Sequence, residues 1–133
     1  MPIEISFVPE DELILVTNRG RITFREIRAA SLEGRKLATE HGVFRFLADC
    51  RQVISAIGAH EIYDLPDMYA AAGVPRSTMI AVVAPAGRPN NDDYRFFETV
   101  CRNNGYPYVE IFDSLEAAKN WLAHNRPPSA SPQ

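Results

Sequence analysis

The sequence is poor in reactive groups. Its two cysteines, Cys50 and Cys101, make neither a disulfide framework nor a metal site. Three histidines, His41, His60 and His124, lie far apart, and no His/Cys/Asp/Glu cluster has metal-ligand spacing. No glycine-rich phosphate loop follows any apolar run. Excess basic charge is missing too. A net charge of −3 and a pI near 5.6 argue against general nucleic-acid binding, which needs a basic footprint. No apolar run approaches the roughly 18 residues of a membrane span. The opening Met-Pro-Ile-Glu-Ile lacks the basic region and apolar core of a signal peptide. With its free thiols, the chain is expected to be cytoplasmic.

What is present describes a fold. At 133 residues, with 46% hydrophobic and 23% charged side chains, one domain with a proper core is expected. Residues 1–125 read as that domain. Residues 126–133, with prolines at 127, 128 and 132, read as a disordered tail.

Ile3 to Val8 alternates apolar and polar residues, and Leu13 to Thr17 is a stronger strand; together they predict an antiparallel hairpin across the turn Pro9-Glu10-Asp11-Glu12. Asn18-Arg19-Gly20-Arg21 is expected to break the second strand. Thr23 and Glu26 fit a capping box, opening a helix that Gly42 ends near His41. Its core face gathers Phe24, Ile27, Ala30, Ser31, Gly34, Leu37 and Ala38. Val43 to Arg51 reads as a central strand covered on both faces, with a loop from Arg51 to His60. Pro66 should divide the next helical stretch, His60 to Ala72, in two, with Asp64 as N-cap. Met79 to Ala84 is another doubly covered strand. Asn90 or Asn91 caps a helix carrying Tyr94, Phe97, Val100 and Cys101. Tyr108 to Phe112 and a helix capped at Ser114 close the pattern. Short connections then build an α/β fold: a mixed, mostly parallel five-stranded sheet with an N-terminal antiparallel hairpin and about four helices.

This order of elements, the Asp-ended strand Phe44–Asp49, and the closing phrase Ile111-Phe112-Asp113-Ser114-Leu115-Glu116-Ala117-Ala118-Lys119-Asn120-Trp121-Leu122 resemble the SpoIIAA-like group. That group has the STAS-type fold of anti-sigma factor antagonists and is related in shape to CRAL-TRIO lipid-binding domains. The resemblance spans residues 3 to 124. It implies a non-enzymatic regulatory module acting through protein contacts, with a carrier or sensor of a small apolar or lipid-like ligand as the alternative. It implies no cofactor. In STAS regulators a kinase phosphorylates the serine of an Asp-Ser pair after the Asp-ended strand. Here Ile57 and Gly58 occupy those positions, so Ser55 is the nearest substitute, against a plain structural role.

Three further candidates weigh chemistry against packing. Asp49 invites comparison with a receiver-domain phosphoacceptor, but the last strand has no lysine and capping of the local turn is the simpler role. Cys50 with His60 could form a nucleophile and base, although no orienting third group can be named. The stretch from Ile57 to Val74 carries more large apolar residues than short surface helices need. Ser55, Ile57, His60, Tyr63, Met68 and Tyr69 are therefore candidates for binding a partner or ligand, a homodimer or regulatory protein first and a small apolar ligand second. On the first helix, Arg25, Arg28, Leu32 and Lys36 form a basic face, either solvated or docking an acidic partner.

Overall fold

The structure, a computed structural model, describes residues 2–85 and 92–125. The expected tail and the cap at Asn90 or Asn91 lie outside them.

The opening hairpin pairs β1 (Ile3–Val8) with β2 (Leu13–Arg21) antiparallel. Strand β2 does not break at Asn18. It continues through two register irregularities, between Thr17 and Arg19 and between Gly20 and Arg21, with Gly20 at φ 69°. Bulges let an awkward Asn-Arg-Gly run stay within a ladder. The capping box then forms as expected: Thr23 Oγ1 accepts from the Glu26 amide at 3.2 Å, and Glu26 accepts from the Thr23 amide at 2.9 Å. Helix α1 (Phe24–His41) ends at left-handed Gly42.

Strand β3 (Arg45–Ser55) is central but longer than the sequence pattern indicates. Asp49 is therefore a mid-strand residue, and the first half of the expected Arg51–His60 loop is strand. Residues 52 to 55 pair with the bulged end of β2, and the Ile22 amide donates to the Ser55 carbonyl at 2.9 Å. The bulges in β2 supply the partner that extends β3.

The chain then makes α2 (Ala59–Ile62), a single turn, and α3 (Leu65–Ala71), divided at Asp64 and Pro66 as the proline requires. Strand β4 (Met79–Val83) is buried throughout. Helix α4 (Asp92–Asn103), β5 (Val109–Phe112) and α5 (Leu115–His124) complete the fold, with Ser114 Oγ accepting from the Ala117 amide at 3.1 Å.

The strands lie in chain order, β1-β2-β3-β4-β5, parallel from β2 onward. Helix α5 covers one face, where Leu13, Leu47, Met79, Ala81 and Val83 pack on Ala118 and Leu122. Helices α1 to α4 cover the other. There Ile80, Val82 and Val109 meet Cys101 and Tyr106, while Ile57, Ile62, Leu65 and Met68 pack toward Phe24 and Ile27 of α1. The Tyr106 hydroxyl, fully buried, donates to the Val74 carbonyl at 2.7 Å, and Arg76 lies over its ring at 5.1 Å. These contacts pin the turn after α3 to the C-terminal side of α4.

Candidate functional site

The expectation that β3 is tightly covered on both faces holds on one face only. Leu47 is sealed beneath α5, whereas Phe46, Ala48 and Cys50 are half-buried and face a cavity of about 430 Å³. The cause is small residues facing small residues. Helix α1 turns Ala30 and Ser31 toward Ala48 and Cys50 across a gap that larger side chains would close. Gly34, one turn on, allows α1 to approach the sheet, with Phe46 directly beneath it.

Val16 and Asn18 of β2, Ile80 and Val82 of β4, and Val53 of β3 continue the floor. Ile27 comes from α1. Ile57, Ile62, Leu65 and Tyr69 form the wall over the crossover, and Tyr94 and Phe97 of α4 close the far side. The exposed lining residues, Ile54, Ser55, Ala56 and Asp93, form the rim. A largely apolar concavity of this size, with a few polar groups, is the ordinary form of a small-molecule site.

Of the six candidates from the helical stretch, Ser55, Ile57 and Tyr69 come together in this lining. Met68 does not; it is buried in the core beside Ile57 and Leu65. His60 and Tyr63 are exposed, Tyr63 at 65%. The four residues of the basic face, Arg25, Arg28, Leu32 and Lys36, are all exposed on α1, with Leu32 at 41%. Arg35, of the same basic side by sequence, instead folds over α3, donating to the Ala72 carbonyl at 3.3 Å.

Cys50 sits in the cavity floor, hydrogen-bonded to Tyr94. Burial and the neighbouring Asp49 carboxylate push its thiol up to about 12. A thiol held protonated at neutral pH is a poor nucleophile, and His60 lies outside the lining, so the nucleophile-base pairing has no support here. Asp49 faces the other way. It accepts from Nε and Nη2 of Arg51, each at 2.9 Å, and from the Arg51 amide at 3.2 Å, and this pairing holds its carboxyl below the usual carboxylate range. The carboxylate fastens its own strand, as the local-turn role anticipates, although within a strand and not at its end. No group of three or more potential metal ligands occurs among the described residues.

Phe46, Ala48 and Asn18 escaped the sequence reading. An apolar run looks the same whether a helix or a void lies above it. The available signal was the Ala30-Ser31-Gly34 series on α1, read only as a core face.

No protein-family model matches the chain, and no curated protein matches it either. Among solved structures, it is similar to an uncharacterized DUF3478-family protein with a SpoIIAA-like fold from Shewanella loihica PV-4. That match has a TM-score of 0.57 and 15% identity, covering 90% of this chain and 91% of the other. The unphosphorylated form of the anti-sigma factor antagonist SpoIIAA aligns with a TM-score of 0.49 and 10% identity, over 92% of this chain and 99% of that one. The first of these two matches shows the fold to be SpoIIAA-like, as the order of elements indicated. Among the described residues, no helix is long and apolar enough to cross a membrane.

Proposed function

We propose that this chain is a non-enzymatic binding module of the regulatory, STAS-like kind, and that its working site is the cavity between the sheet and helices α1 to α4. The occupant is a small apolar or lipid-like ligand. The observation that carries this reading is the 430 Å³ space floored by Phe46, Ala48 and Cys50 on the central strand. A core that served packing alone would fill it, because an unfilled apolar volume weakens a fold. The sequence puts protein contacts ahead of a small ligand; the cavity is our reason for preferring the ligand.

The test is titration with the apolar fluorophore 1-N-phenylnaphthylamine. Saturable binding is expected in the native protein. In Ala48→Phe, binding should be at least about tenfold weaker with the fold retained, since the new ring takes space that the probe needs. Absence of binding to the native protein, or equal binding to both proteins, would remove the reading.

The protein-contact reading keeps one specific support. Ile54 and Tyr63 are exposed at 64% and 65%, unusual for side chains of their size. A native mass spectrum showing a homodimer, lost on Tyr63→Ser, would restore it to first place.

A further inference from the structure

We propose that the cavity's ligand is a neutral amphiphile: an uncharged apolar molecule bearing a hydroxyl or N–H donor, seated on the side-chain carbonyl of Asn18. This rests on the cavity reading above and specifies the chemistry of its occupant.

Asn18 is the polar anomaly in the lining. It is only 8% exposed, on β2 two residues from Val16, and so on the same face of the sheet in the cavity floor. Its amide nitrogen donates to the Val16 carbonyl at 3.2 Å, which fixes the orientation of the group and leaves Oδ1 as the remaining acceptor. Among the described residues, Oδ1 receives no hydrogen bond. Oδ1 is not among the fully buried atoms, so it stays open to the cavity that Asn18 lines, and a ligand hydroxyl or N–H can take the place of water there. The Tyr69 hydroxyl, on the opposite wall, likewise has no hydrogen-bond partner among the described residues. Burial raises that phenol well above its ordinary value and keeps it a donor at any physiological pH. It can serve an acceptor elsewhere on the same ligand.

The charge of the ligand follows from what lines the space. No Lys, Arg or His is among the described lining residues, and the one ionisable charge there, Asp93, is exposed on the rim. A carboxylate or phosphate drawn inside would lose water and meet no cation among the described lining residues, a cost far above that of a hydroxyl. An alkylammonium seated on Asn18 would likewise lose hydration, with no carboxylate among the buried described lining residues to offset it.

Displacement of 1-N-phenylnaphthylamine at pH 8 by ten-carbon probes of one length tests this. 1-Decanol should displace the fluorophore at a concentration at least about tenfold below decanoate or decylammonium, and at least about fivefold below 1-methoxydecane, which lacks the donor. Decanoate should gain as the pH is lowered into its own titration range. Asn18→Ala should erase the preference for the alcohol over the ether, each displacement being scaled to that variant's own affinity for the fluorophore. Should that variant not fold, the four-probe series on the native protein decides alone. Equal displacement by alcohol and ether, or stronger displacement by either ion, overturns this proposal while leaving the cavity reading intact. No fluorophore binding at all overturns the cavity reading first.

Discussion

A β-carbon on Gly34 would stand 3.0 Å from Cε2 of Phe46, closer than the pair could hold without movement. Helix α1 and the central strand thus meet at a residue with no side chain, and the ring beneath has the cavity beside it. Gly34→Ala gains helix propensity of about 1 kcal/mol, which offsets the crowding. The melting temperature should therefore move by no more than a few degrees, while the ring yields into the cavity. Fluorophore affinity should fall at least about threefold; unchanged affinity would mean that Phe46 moves elsewhere.

Tyr106→Phe removes the donor to the Val74 carbonyl and leaves a buried acceptor unserved. The expected loss is about 1–3 kcal/mol in urea unfolding with an unchanged slope. Arg76, which lies over the ring, should make Arg76→Ala costly as well, though by less.

Thr78 is fully buried, and its Oγ1 has no hydrogen-bond partner among the described residues. Thr78→Val keeps the shape and discards an unsatisfied hydroxyl. It should leave stability unchanged or raise it by about 1 kcal/mol in denaturant unfolding. A loss of that size would indicate that the hydroxyl is satisfied by water.

Alkaline pH should unfold the protein in a definite sense. Burial raises the thiols of Cys50 and Cys101 from 9.0 to about 12. The unfolded chain therefore releases these protons first, so stability is complete below pH 9 and falls as pH rises toward 12. The slope is on the order of 1 kcal/mol per thiol per pH unit. Cys50→Ser with Cys101→Ala should reduce it, leaving the part that the buried Tyr69 and Tyr106 hydroxyls contribute in the same sense, measured by melting temperature against pH. At neutral pH neither thiol should be alkylated by iodoacetamide as fast as a free thiol peptide.

Acid should act oppositely and weakly at Asp49. Its carboxyl is lowered by Arg51, so the pair stabilises above the ordinary Asp range and is lost as pH falls through the lowered value. Because Arg51 is largely exposed, Asp49→Asn should cost no more than about 1 kcal/mol at pH 7.

Local signals were legible in the sequence wherever one residue type forces one geometry. Thr23 with Glu26, Gly42 after His41, and Pro66 inside a helical run each state their own boundary, and the order of elements then left few arrangements for the sheet. Bulges were not legible. Asn18-Arg19-Gly20-Arg21 looks like an exit from a strand, because the partner that keeps it in the ladder lies more than thirty residues away. The cavity was hidden for a related reason. Its volume belongs to the gap between α1 and β3, not to any segment's own pattern. Ile57 and Tyr69 were singled out for an excess of apolar bulk; Asn18 was passed over as turn chemistry.

Because the five strands stand side by side in the order in which they are made, each can join a ladder already in place, and none has to be threaded between two that are waiting. The hairpin can form before α1 is complete, and the sheet can grow by one edge at a time during synthesis. The binding chamber obeys a different timetable. Its last wall, Tyr94 and Phe97, comes from α4, so a nascent chain can hold a guest only once that helix has emerged, while the opposite face of the sheet waits longer still for α5.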